Sequence, residues 1–168
     1  MYVADTFNHR IVEFSPTGRV VRQWGSLGRR PGQFDHVKGV AADRHNHIFV
    51  ADTENDRIQV FSGQGRFLYQ WGSHGTGQGQ FDTPKAVLVT RSSRVYVSDT
   101  DSNRVQVFTT SGHYLATLGN GSAGSYRYRF HDPRGSIEDA QGRVWIADTK
   151  NNRILRIFQT GSFLGQLK

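Results

Sequence analysis

The sequence predicts an all-β chain of repeated four-stranded antiparallel sheets, and two observations carry that prediction. One phrase recurs four times: VADTFNHRIVEF from Val3, VADTENDRIQVF from Val50, VSDTDSNRVQVF from Val97 and IADTKNNRILRI from Ile146. Its aspartates, Asp5, Asp52, Asp99 and Asp148, stand 47, 47 and 49 residues apart. A period in that range marks a small unit stacked on copies of itself, each unable to bury its apolar surface alone. The second observation is local. No stretch shows the 3.6-residue apolar period of a helix, while short β-branched and aromatic runs alternate with clusters of Gly, Asn, Asp and Ser.

The second unit reads strand by strand. Strand a is Gly39–Asp43, b is His47–Asp52, c is Arg57–Phe61 and d is Arg66–Trp71, with spacers short enough for hairpins. Strands b and d carry apolar residues on both faces: Ile48, Phe49 and Val50 in one, Phe67, Leu68, Tyr69 and Trp71 in the other. A sheet apolar on both sides must be covered on both sides. Radial packing of like sheets about an axis does this, giving a β-propeller; a β-sandwich would not need so strict a period. Met1–Val3 align with Ile48–Val50, so the chain opens in strand b of a blade without its inner strand. The expected blades are 1–33 (partial), 34–80, 81–129 and 130–168. An open arc of this kind exposes apolar flanks, so further blades or pairing with other copies are expected to close the ring.

Composition narrows the function classes. The chain has 168 residues, no cysteine and a formal charge of +7, from 17 Arg and 4 Lys against 14 acids. Disulfides, thiolate metal sites and cysteine nucleophiles are therefore excluded. No apolar run is long enough for a membrane helix, and the first residues lack a charged-then-apolar leader pattern. The basic balance favours an anionic partner. Nothing in the sequence indicates a compartment, and Asn120-Gly-Ser122 is a glycosylation acceptor only in a secreted protein.

Residues present in every unit are expected to serve the unit. Each repeat aspartate precedes an arginine by five residues: Asp5 and Arg10, Asp52 and Arg57, Asp99 and Arg104, Asp148 and Arg153. A charge-assisted hydrogen bond within each pair would pin the turn between b and c, with Asn8, Asn55, Asn103 and Asn152 capping it. Phe34, Phe81 and Phe130 are expected to wedge between blades, and Trp24, Trp71 and Leu118 to pack at the ends of the d strands. Gly75–Gly79 (GTGQG) has no following helix to hold a phosphate, so it is a connector. The seven histidines (9, 36, 45, 47, 74, 113 and 131) show no metal-ligand spacing, and no metal or cofactor is expected.

These phrases resemble the NHL repeat. The likeness rests on NHR at Asn8–Arg10, the ADT and RIQVF core, WGS at Trp24 and Trp71, and GQFD before strand a, and it extends over all four units. The resemblance implies a propeller, usually of six blades, about two more than are present here. In the related peptidyl-hydroxyglycine lyases it implies zinc-binding histidines after a proline at the entrance to strand a. The matching positions here are Lys38, Lys85 and Arg134, and cationic side chains do not ligate zinc. Nor are calcium-ligating carboxylates of the lactonase sort found around the axis. An enzyme is therefore not expected; a metal-dependent lyase or lactonase is the third-ranked reading.

Two candidate sites remain. Lys38, Lys85 and Arg134 would form a positive arc at the axial mouth. The third d–a loop, two residues longer than the others, interleaves Tyr126, Arg127, Tyr128 and Arg129, an aromatic–cation pattern suited to splayed bases. Charge is nonetheless spread over both faces: the face of the d–a and b–c loops (the top) sums to +2, and the opposite face to +4. The first reading is thus a non-enzymatic scaffold that binds a protein or peptide through its top loops, and the second is single-stranded RNA binding.

Overall fold

The computed structural model describes residues 1–124 and 129–157, together with the backbone of the strand Phe163–Leu167. Four antiparallel sheets follow one another along the chain. Blade one has three strands, β1 (Tyr2–Asp5), β2 (Arg10–Phe14) and β3 (Val20–Trp24). Blade two has β4 (Val37–Ala42), β5 (Ile48–Asp52), β6 (Arg57–Phe61) and β7 (Phe67–Trp71). Blade three has β8 (Pro84–Val89), β9 (Arg94–Asp99), β10 (Arg104–Thr109) and β11 (Tyr114–Leu118). Blade four has β12 (Pro133–Glu138), β13 (Val144–Asp148), β14 (Arg153–Ile157) and β15 (Phe163–Leu167). Each strand pairs with its sequence neighbour in a simple meander.

The blades stack with their inner strands side by side, β4 against β8 and β8 against β12. The approach is close at Gly39, where a Cβ would stand 2.9 Å from the Cα of Ala86, so the axis side admits no side chain there. β5 and β6, the middle strands of blade two, are buried throughout, because the seams with blades one and three cover both of their faces. The outermost strands differ from expectation. β7 is half-buried on one face only, with Leu68 and Gln70 turned to solvent, because at the rim neighbouring blades splay apart.

Three hydrophobic clusters fill the seams, each drawing on two adjacent blades. Their centres are Phe34, Phe81 and Phe130, all fully buried. Each phenylalanine lies in the loop leading into one blade and packs on strand c of the blade before it. Phe34 covers Ile11, Phe81 covers Ile58 and Phe130 covers Val105, all three with no exposed surface. Ile154 holds the same position in blade four and is 47% exposed.

Candidate functional site

The top face is built on the turn between strands b and c. In each blade the terminal aspartate of strand b pairs in register with the first arginine of strand c. Arginine Nε donates to aspartate Oδ2 at 2.8 Å (Arg10–Asp5), 2.7 Å (Arg57–Asp52), 2.6 Å (Arg104–Asp99) and 2.6 Å (Arg153–Asp148). The other carboxylate oxygen accepts a backbone N–H from the loop entering the same blade, from Asp35 to Asp52, Asp82 to Asp99 and His131 to Asp148, each at 2.7 Å. The guanidinium holds the rest of that loop: Arg57 donates to the carbonyls of Arg29, Arg30 and Gln33. Charge and backbone are thus satisfied together inside a buried site.

The capping residue follows register rather than residue type. Asn8, Asn55 and Asn151 hold the position three after the aspartate and donate to it. Asn103 and Asn152 instead sit one place later, at the left-handed corner (φ 50° and 49°) that His9 and Asp56 occupy in the first two blades. The expectation that Asn103 and Asn152 cap the turn is corrected on this point. In blade three the capping position belongs to Ser102.

That exchange opens a cavity. In blade two Asn55 Nδ2 bridges both oxygens of Asp52 (3.0 Å each) and the carbonyl of Gly28 (2.9 Å), closing the space between turn and loop. Asn151 Nδ2 likewise donates to Asp148 Oδ2 (2.8 Å) and to the carbonyl of Gly124 (2.6 Å). Ser102 is too short to do so, and its buried hydroxyl has no hydrogen-bond partner among the described residues. A cavity of about 420 Å³ lies there, lined by Thr76, Ser102, Arg104, Thr117, Gly119 and Asn120. Beneath it Asp99 keeps Arg104, Gln106 and the Asp82 N–H but receives no amide cap. Burial pushes its carboxyl above the ordinary aspartate value, against the lowering effect of those donors.

At the inner mouth, the strand-a cations lie at irregularities in the β-ladder. The register of β4 on β5 shifts between Val37 and Gly39, and that of β8 on β9 between Pro84 and Ala86, which leaves Lys38 and Lys85 as the extra residues. The β12–β13 shift between Pro133 and Ser136 takes in Arg134. Such bulges re-aim side chains. The arc is less positive than the sequence suggests. Asp132, buried, accepts both Arg134 Nε (3.0 Å) and Nη2 (2.9 Å), with Lys150 at 3.5 Å and Lys85 at 4.0 Å. Lys85 also donates to Asp101 at 3.3 Å. The Arg134 guanidinium holds the Asp132 carboxyl below its usual range. Lys38 is exposed.

Of the loop candidates, Tyr126, Arg127 and Tyr128 lie outside the described residues; Arg129 is described, and its carbonyl accepts Arg153 Nη2 at 2.6 Å. On the opposite face several arginines are paired, Arg91 with Glu138 and Arg143 with Asp139, so the +4 counted there is partly spent within the fold. Trp24 and Trp71 pack tilted against Phe61 and Phe108 in the seams.

With this geometry in place, residues 34–61, from the first seam phenylalanine to the end of β6, match the NHL repeat. Blade two carries an NHL repeat. The described parts of the four blades share the Asp–Arg turn that lies within the matched segment. No curated protein sequence matches the chain. Among solved structures, virginiamycin B lyase from Staphylococcus aureus is similar with a TM-score of 0.71 at 14% identity, over 99% of this chain and 51% of that one. Hydrazine synthase from Kuenenia stuttgartiensis gives 0.72 at 13% identity, over 98% and 44%. A chain in a nidogen–laminin complex gives 0.68 at 14%, over 98% and 60%. At these identities the likeness is one of fold, and the chain spans roughly half the length of the structures it matches.

Proposed function

We propose that this NHL-repeat arc is a non-enzymatic scaffold that takes a protein or peptide segment across its top face, centred on blade three. The observation that carries this reading is the cavity at Ser102, a polar hollow at the one described turn where the repeat's own cap is shorter. A segment offering polar groups would meet the unpartnered Ser102 hydroxyl there, with Thr76 and Asn120 beside it. The chain in the nidogen–laminin complex supports this by showing the same fold within a protein–protein assembly. We read the chain as non-enzymatic because the inner-mouth positions at which related lyases place zinc ligands carry Lys38, Lys85 and Arg134. Exposed Ile137 and Ile154 on blade four would be covered by a further blade or another copy.

Selection of peptides from a displayed library, followed by titration against variants, tests this. Selected peptides are expected to lose about tenfold or more in affinity to Ser102→Asn, which refills the hollow, and to be indifferent to Arg19→Ala and Arg66→Ala on the opposite face. The reverse pattern overturns the reading. Single-stranded RNA is the alternative favoured by the bulge-borne Lys38 and Lys85. It requires affinity that falls steeply with salt and is abolished by Lys38→Ala, Lys85→Ala and Arg129→Ala together.

A further inference from the structure

The polar upper edge of each seam repeats one contact. The left-handed corner residue of one blade accepts a hydrogen bond from a backbone N–H in the loop entering the next. His9 Nδ1 accepts from His36 at 3.1 Å, Asp56 Oδ1 from Thr83 at 2.8 Å and Asn103 Oδ1 from Asp132 at 3.0 Å. This contact draws together side chains 27 to 29 residues apart in sequence, and the three seams fill the space differently. At the third, the carboxylate of Asp132 is met by Arg134, Lys150 and Lys85. At the first, the carboxylate of Asp35 faces no arginine or lysine within ion-pair distance among the described residues. It faces two imidazoles, His36 Nδ1 at 2.8 Å and His9 Nδ1 at 3.7 Å.

We propose that His9, Asp35 and His36 form a binding site for a divalent transition-metal ion, with zinc the best fit. One ligand atom from each residue falls within 4.8 Å of the other two. Tetrahedral zinc, with bonds of about 2.0–2.2 Å to imidazole nitrogen and carboxylate oxygen, sets ligand atoms about 3.3 Å apart, and the distances from Asp35 Oδ1 bracket that value. Two imidazoles and one carboxylate suit zinc and its neighbours, whereas calcium and magnesium want a shell of oxygens. His9 is largely buried in the seam, and the His9 and His36 rings lie edge to face at 5.0 Å. Phe7 stands edge-on to His36 at 5.9 Å, and the site is open to solvent on the His36 side. Coordination exchanges one contact for another: His9 Nδ1 leaves the His36 N–H and turns its lone pair to the ion. The ion would supply at this seam the positive charge that Arg134, Lys85 and Lys150 supply at the third.

The second seam also gathers three candidate ligands, Asp56, His74 and Asp82. Its single imidazole is mostly exposed, and Asp56 is already bonded to Thr83 and His74. It is the weaker set and serves as the comparator.

The test is titration of the metal-stripped protein with Zn(II) by calorimetry and with Co(II) by visible absorption. The wild type is expected to bind one Zn(II) per chain with a dissociation constant below about 10 µM, to show tetrahedral Co(II) bands, and to melt at a higher temperature with Zn(II). His9→Asn removes the imidazole but keeps an acceptor for the His36 N–H and a residue at ease in the left-handed region, as Asn103 does at the third seam. It should fold and melt like the wild type without metal, yet bind Zn(II) about tenfold or more weakly. His74→Ala should leave the tight site unchanged. The proposal is overturned if the wild type binds no Zn(II) at about 100 µM, if His9→Asn binds it as tightly, or if His74→Ala abolishes the tight site.

Discussion

Blades two and three share strand order, register and ion pair, yet one turn is closed and the other hollow. The capping position holds Asn55 in one and Ser102 in the other. In blade two the aspartate of the turn receives Arg57, Asn55, Gln59 and the N–H of Asp35. In blade three the matching carboxylate keeps three of those four kinds of donor. The comparison teaches that positions identical from blade to blade maintain the sheet, while a departure at one of them frees space without unfolding it.

Breaking the ion pairs gives the largest expected effect. Removing one partner of a buried pair costs about 3–5 kcal/mol, so Arg57→Ala and Arg104→Ala should both destabilise on that scale in urea unfolding. Arg104→Ala should be the worse, because Asp99 has no asparagine cap to share its charge; equal losses would mean that Asn55 contributes nothing to the blade-two turn. A smaller effect of opposite sign is expected for Ser102→Asn. Supplying the donor and filling the hollow should stabilise by about 1 kcal/mol at neutral pH.

The pH dependence sharpens the same contrast. Asp99 in the folded chain holds its proton more tightly than in the unfolded chain, so its contribution to stability declines as pH rises through the window that starts at the ordinary aspartate value. An amide donor favours the carboxylate, so the gain from Ser102→Asn should be full at neutral pH and shrink in acid, once Asp99 is protonated. A gain that is flat with pH would mean that only the filled volume matters. Asp132 behaves oppositely. Its carboxyl is held below the usual range, so its contribution is present above that range and lost as pH falls through its folded value. Arg134→Ala should remove part of that acid sensitivity, the smallest change of the set, because the guanidinium is largely solvent-exposed.

Much of this architecture was legible before the coordinates. Strands β5, β6 and β7 fall within a residue of their predicted bounds, since β-branched runs framed by turn residues leave few alternatives. The one-sided burial of β7 was not legible, because flank coverage at the rim depends on how far the blades splay. The cap is legible by register rather than by residue type: counting three from Asp99 places Ser102, not Asn103, at the capping position. The bulges that re-aim Lys38 and Lys85, and the meeting of His9 with His36, arise only when sheets are paired and stacked. Spacing along one strand therefore held no sign of either.

The seam phenylalanines have a consequence for how the chain comes into being. Ile11, Ile58 and Val105 wait for Phe34, Phe81 and Phe130, which lie 23 to 25 residues further along. A ribosome releasing the chain from its N-terminus therefore delivers each blade before the plug that seals it. Every nascent sheet must stay unsealed until the opening of its successor emerges, so translation pauses placed shortly after a d strand would prolong the sticky interval most.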